Sequence, residues 1–239
     1  MRSWSNIELL TLWENGSRRH PLDRALLILS AAFPDTPYDR LADWPLGRRN
    51  RALAELRAKH FGPNLRGWVA CGRCGEKLEF EMDVRVISDA DSEGKQLEGA
   101  NPSVILDGRA FRVPTSRDLA LVANETDSQR AAERIAESCH VGDDDASGWI
   151  HEELEKIGDA MALADPLAET TLALRCANCE SEWQEPLDLV AFVWAEIESR
   201  ARRLLFEVHS IASAYGWSET EILSLSEVRR FHYFEMVQH

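Results

Sequence analysis

The chain has 239 residues, a length that suits one or two domains at about 150 residues each. Apolar residues make up 44%, enough to bury a real core. Asp and Glu (41) outweigh Lys and Arg (27) for a net charge of −14, which argues against general nucleic-acid binding, because phosphates attract a basic surface.

That charge is uneven. Residues 1–70 hold 11 Lys and Arg against 7 Asp and Glu, a net of +4, whereas residues 118–169 hold 3 against 14, a net of −11. A solvated surface is the ordinary reading of such a stretch. The first ten residues, MRSWSNIELL, lack the continuous apolar stretch of a signal peptide. No run approaches the roughly 18 apolar residues of a membrane span. The expectation is a cytosolic chain without membrane insertion, whose thiols stay reduced and whose Cys-x-x-Cys pairs favour metal over disulfides.

In chain order, the N-terminal region (1–67) reads as helical. Ile7, Leu9, Leu10, Leu12 and Trp13 crowd one stretch. Pro21 opens a second helix with Leu22, Ala25, Leu26 and Leu29 at helical spacing. Pro34 and Pro37 break it, a third helix spans Leu46 to Phe61, and Gly62-Pro63 ends that one. Arg48, Arg49, Arg51 and Arg57 fall on its more polar positions; a contact surface is one reading of them and a solvated helix face the more ordinary one.

Residues 68–87 change period. Trp68-Val-Ala leads into Cys71-Gly-Arg-Cys74-Gly75, after which Leu78, Phe80, Met82 and Val84 alternate with charged residues. Alternation of this kind marks a half-exposed strand. Residues 88–103 read as an exposed polar loop. Asp107-Gly108 between two apolar runs is the signature of a hairpin with a type I′ turn. Pro114 stops the second strand, and Thr115 or Ser116 can cap a following helix. Helical patterns occupy roughly 117–123, 128–139 and 149–164, with the acidic turn VGDDDASG joining the last two. The strand–knuckle pattern returns at 170–187 around Cys176-Ala-Asn-Cys179. From 188 to 239 the chain reads as helical again, with a stripe from Leu189 through Leu204, Leu205 and Val208 to Tyr215. Gly216 suits a left-handed terminus, Ser218 and Glu221 form a capping box, and Ser226 can cap a last helix.

The sharpest chemical signal is Cys71-x₂-Cys74-x₁₀₁-Cys176-x₂-Cys179. Each Cys-x-x-Cys turn brings two thiolates to one side of a tight loop, and two such knuckles supply a tetrahedral set of sulfurs for zinc. Loop-closure cost grows slowly with length, so an insertion at 88–169 is tolerable if it leaves and returns at one edge. Rubredoxin-like iron takes the same ligands, and separate redox dithiols remain an alternative. Four cysteines close the metal's shell, which favours a structural Zn²⁺ over a catalytic one.

Cys139 reads as a small buried hydrophobe. Its neighbour His140 would not meet it unaided. His209, beside the Leu205/Val208 stripe, reads as half-buried. No zincin pair, Walker loop or nucleophile elbow is present, so no catalytic residue is assigned. Eight tryptophans are mostly core candidates, with Trp4, Trp13 and Trp217 as possible partner anchors.

The block Leu204-Leu-Phe-Glu-Val-His209 … Tyr215-Gly-Trp217-Ser-Glu-Thr-Glu221-Ile-Leu-Ser-Leu225-Ser-x-x-Arg229-Arg230-x-x-Tyr233 resembles the C-terminal signature of the baseplate assembly family typified by the T-even phage hub assembly proteins. The cysteine knuckles, with Phe111-Arg-Val-Pro-Thr-Ser-Arg-Asp-Leu119 and Pro21-Leu-Asp-Arg-Ala-Leu, look like a longer form found beside extracellular contractile injection systems. The close likeness covers about 30 residues, and the shorter phage members lack the knuckles. The resemblance implies a non-enzymatic component or assembly factor of a contractile tail baseplate. Its partners would be baseplate, hub and spike proteins, with Tyr215, Trp217, Arg229, Arg230 and Tyr233 as contacts. A generic zinc-ribbon adaptor, or an enzyme with its site in the insertion, are the competing expectations. Together these readings give an α+β fold: a Cys₄ zinc-ribbon-like module at 68–87 and 170–187, an inserted hairpin and helices, and helical regions at both ends.

Overall fold

A computed structural model describes residues 3–89, 101–142 and 148–238. Most of the polar loop expected at 88–103 and of the acidic turn after Val141 lies outside the described residues.

The N-terminal region folds as four helices: α1 (Asn6–Gly16), α2 (Pro21–Ala32), α3 (Tyr38–Ala42) and α4 (Leu46–Phe61). Ser5 and Glu8 close a capping box on α1, and Pro21 occupies the first turn of α2, where its missing N–H costs nothing. Pro37 does more than break α2: it stands at the N-cap of α3, a short helix that the sequence pattern did not suggest. Gly62 ends α4 at φ +89°.

Two antiparallel hairpins follow the expected layout. β1 (Asn64–Ala70) pairs with β2 (Lys77–Asp83), and β6 (Thr171–Arg175) pairs with β7 (Glu182–Pro186). β1 starts before the expected boundary at residue 68. Between the hairpins lie α5 (Arg85–Asp89), β3 (Ser103–Leu106), β4 (Arg109–Arg112), α6 (Ser116–Val122), α7 (Ser128–Cys139), β5 (His140–Val141) and α8 (His151–Ala164). Asp107 and Gly108 both take positive φ, 50° and 79°, in the expected hairpin turn. The short β5 adds a third strand beside β4.

The C-terminal region is α9 (Leu189–Tyr215), α10 (Glu219–Ser224) and α11 (Glu227–Gln238). At 27 residues, α9 is about 40 Å long. Its first half joins α2, α4 and Leu65 of β1 in one core, through Val190, Val193, Trp194 and Ile197. Its second half joins α1, Ile222 and Leu223 in another, through Ala201, Leu204, Val208 and Ile211. Gly216 ends it at φ +68° and Ser218 caps α10 with Glu221. Leu205 and His209, placed on or near the buried stripe by the pattern, are exposed. The true apolar face runs through positions 204, 208 and 211.

A third core lies wholly within the insertion: Phe111, Ala136, Cys139, Trp149, Leu154, Ile157 and Met161. Polar bonds dock it on the N-terminal helices. The Asn50 amide donates to the carbonyls of Leu167 and Ala168, at 2.9 and 3.0 Å. The Gly47 N–H donates to Asp165 at 2.8 Å, and Arg117 pairs with Asp39 and Asp43. Among the described residues no helix is long and apolar enough to cross a membrane.

Candidate metal centre

The two hairpins turn on six-residue loops, 71–76 and 176–181, bounded by the pairs Ala70↔Lys77 and Arg175↔Glu182. Their backbone bonds repeat one another. The Cys71 N–H donates to the Glu76 carbonyl at 2.8 Å and the Gly75 N–H to the Cys71 carbonyl at 2.8 Å. In the second loop Cys176 donates to Ser181 at 2.9 Å, and Glu180 to Cys176 at 2.9 Å. Both loops therefore need a left-handed residue at one equivalent position: Gly75 at φ 74° and Glu180 at φ 58°. Glycine meets that demand freely, whereas a glutamate is strained there.

Those loops aim four thiols at one point. The Sγ atoms of Cys71, Cys74, Cys176 and Cys179 all lie within 4.8 Å of one another. The pairs Cys71–Cys179 and Cys74–Cys176 are each 3.6 Å apart. A disulfide requires about 2.05 Å, so all four are free thiols. Four sulfurs at about 2.3 Å from a tetrahedral metal would be about 3.8 Å apart. The tetrad is thus positioned to hold a metal ion with little movement. Cys71 and Cys176 are buried, Cys179 is half-buried and Cys74 exposed.

Electrostatics point the same way. The N–H groups of Cys74 and Arg73 donate to Cys71 and lower its pKa. The Glu76 N–H, with help from neighbouring donors, brings Cys74 down to about 7. At Cys179 the Ser181 N–H also favours the thiolate, but burial and the three other cysteines push its pKa up to about 12. Backbone donors thus favour the thiolate at Cys71 and Cys74, while the neighbouring cysteines oppose it at Cys179. A cation at the centre removes that conflict.

The first hairpin is fixed to the body away from the sulfurs. Buried Arg57 of α4 donates to the Gly62 and Asn64 carbonyls at 2.6 and 2.7 Å and forks onto Glu196 of α9. Phe80 of β2 packs edge-on against Phe192 of α9 with ring centres 6.0 Å apart. A side chain at Gly67 would run into both rings.

Cys139 stands apart from this centre in the insertion core, fully buried. Burial and nearby Asp118 push its thiol up to about 12. The ring of neighbouring His140 lies edge-on to Phe111 at 5.4 Å.

The residues of the C-terminal signature divide into two groups. Tyr215 stacks on Trp217 at 5.1 Å, and Tyr233 meets Trp217 at 4.9 Å and Tyr215 at 5.8 Å. These aromatics form one partly exposed cluster. Arg229 is exposed. Arg230, expected beside it as a partner contact, is corrected: it is 1% exposed and donates to Glu207 of α9 at 2.7 Å. Two arginines one position apart on a helix face different ways, and the buried Glu207 selects the second. Trp4 and Trp13 are half-buried against the helical core.

One internal site was not foreseen. Asp118 of α6, 1% exposed, accepts both arms of Arg112 at 2.7 Å. It also accepts the Ser138 hydroxyl at 2.6 Å and the Thr115 N–H and hydroxyl at 2.8 and 2.7 Å. Burial alone would raise its pKa, but these donors outweigh burial and hold it well below the usual carboxylate range. Only the Thr115-x-x-Asp118 capping spacing hinted at this knot. No protein-family model, curated protein or solved structure matches the chain.

Proposed function

We propose that this chain is a non-enzymatic baseplate or hub component, or assembly factor, of a phage-tail-like contractile injection system, built around a structural Zn²⁺. Tetrahedral thiolate sets suit zinc or iron–sulfur chemistry, and a closed shell of four cysteines leaves no position for substrate. When bound, the metal supplies a cross-link between hairpins that lie 101 residues apart between Cys74 and Cys176.

The observation that carries the reading is the aromatic cluster of Tyr215, Trp217 and Tyr233. The motif that resembles the baseplate family gathers into one surface feature, with Phe206, Val228 and Phe231 also exposed on α9 and α11. Aromatic clusters of this type are favoured anchors for partner proteins. The acidic balance and the absence of a spanning helix among the described residues fit a cytoplasmic assembly step away from nucleic acid and membrane.

Co-expression with the sheath, tube, spike and remaining baseplate proteins encoded at the same locus tests the reading. The expected result is a stable complex that Trp217→Ala weakens. A locus lacking those genes, or purified baseplate proteins that do not bind the chain, would overturn it.

A further inference from the structure

The four thiols of the centre have a second chemistry open to them. Two sulfur contacts of 3.6 Å both run between the hairpins, Cys74 to Cys176 and Cys71 to Cys179. The partners are 102 and 108 residues apart in the chain. Each pair has to close by about 1.5 Å to reach disulfide length. The hairpins are separate two-stranded sheets with no strand pairing between them, so a small approach of one to the other is enough. A bond within one loop is harder to make. The first turn is already pinned by the Cys71–Glu76 and Gly75–Cys71 backbone bonds, and the second by their counterparts at Cys176, Glu180 and Ser181.

Access to the sulfurs is graded. Cys74 is exposed, Cys179 is half-buried, and Cys71 and Cys176 are buried. Small oxidants reach thiols in order of exposure. The exposed thiol therefore faces a shielded one, which is the arrangement of an attacked cysteine and its resolving partner.

We propose that the tetrad is also a modification site, which a hydroperoxide oxidises from Cys74 inward into two disulfides joining the hairpins, Cys74–Cys176 and then Cys71–Cys179. In the first step the Cys74 sulfur bonds to the distal peroxide oxygen, the O–O bond breaks, and Cys74 becomes a sulfenic acid. The Cys176 thiolate then attacks the Cys74 sulfur, the S–S bond forms, and the S–O bond breaks with loss of hydroxide, which leaves as water. One hydrogen peroxide accepts two electrons from two thiols and gives two waters. A second equivalent enters at Cys179 and joins it to Cys71. Two remaining thiolates are too few for a tetrahedral site, so the metal leaves at the first equivalent. The cross-link between the hairpins survives its departure, because a disulfide across more than 100 residues constrains the chain strongly. The fifth cysteine, Cys139, is fully buried and stays reduced.

The test uses the purified chain alone, so it stands apart from the assembly reading. Metal content is measured first; a chain isolated without metal ends the structural-zinc reading, while the thiols still judge the pairing. Limiting iodoacetamide should label Cys74 before any other cysteine, and earlier labelling elsewhere overturns it as the point of entry. Stepwise hydrogen peroxide should then lower the free thiols from five to three and to one, with metal released at the first step. Trypsin cuts after Arg73 and Arg175, so Cys71, Cys74 and the second knuckle fall on peptides 67–73, 74–77 and 176–200. Non-reduced digests should link 74–77 to 176–200 first and 67–73 to 176–200 second. Proteolysis of the oxidised hairpins should be at least about tenfold slower than in the reduced, chelated chain. Linkage of 67–73 to 74–77, a disulfide inside 176–200, or five thiols surviving excess peroxide overturns the proposal.

Discussion

The cysteine hairpins and the insertion between them are held by different forces. Within β1, β2, β6 and β7 only Leu65 is buried, although Phe80, Met82 and Leu172 lean on the helical core. Two-stranded ribbons of this kind are marginal in water. The insertion has, among the described residues, its own core of seven buried side chains and, beside it, the Arg112–Asp118 fork. One part of the chain therefore gathers its thiols where a metal ion can be held, and the other rests on packing and a buried ion pair. The two should fail under different perturbations, and each variant below is chosen to separate them.

Metal removal should have the largest effect. Structural zinc contributes on the order of 10 kcal/mol to small modules that lack a core. Cys71→Ser, or a strong chelator, should abolish metal binding and open residues 64–83 and 171–186 to proteolysis. The insertion should keep its fold, because none of its core residues touches the tetrad; fluorescence of buried Trp149 reports on it. A metal-free chain whose hairpins stay protected would show that the hairpins need no cation.

Asp118→Asn should produce the reverse pattern. It leaves Arg112 without its carboxylate, and breaking a buried pair costs about 3–5 kcal/mol. Arg112 keeps 30% side-chain exposure, which places the cost near about 3 kcal/mol. The insertion should melt earlier while metal content stays at the wild-type value. Acid should reproduce this loss. The folded pKa of Asp118 is depressed, so its contribution is complete above the unfolded value near about 4 and falls away as pH drops below it. The metal goes first, because its thiolate ligands must stay deprotonated. Titrating from neutral to acid should therefore release metal at a higher pH than the insertion melts, with both followed in one sample.

The same division governs what was legible in the sequence. The Cys-x-x-Cys pairs, the Asp107-Gly108 turn, the Ser218–Glu221 box and the ends of α4 and α7 depend on residues a few positions apart, and each appears where the pattern places it. Docking does not depend on neighbours. Asn50 finds carbonyls more than 100 residues away, and Arg117 finds Asp43 across 74. Neither pairing leaves a local mark. Arg230 shows the cost of reading charge as surface: its partner Glu207 lies 23 residues back, and only the crossing of α9 and α11 brings them together. α3 was hidden because Pro37 reads equally well as a breaker and as an N-cap, and the tertiary contacts of Leu41 decide between them.

The smallest expected effect lies inside the cysteine hairpins and compares their two loops. Their hydrogen bonds match, yet one uses Gly75 and the other Glu180 at the left-handed position. A non-glycine residue there costs about 1–2 kcal/mol. Glycine returns roughly 0.5–1 kcal/mol of that through its freer unfolded chain. Glu180→Gly should therefore tighten metal binding by only about 0.5–1 kcal/mol, a factor of about two to five, read by competition with a chelator of known affinity. Gly75→Ala should weaken it by a similar amount, since a Cβ at Gly75 meets nothing within 4 Å and only backbone strain opposes it. Opposite signs at the two positions would make the loops energetically as well as geometrically equivalent. Equal signs would mean that Glu180 does something at the surface that its backbone strain conceals, and its 3.8 Å approach to Arg175 is the first place to look.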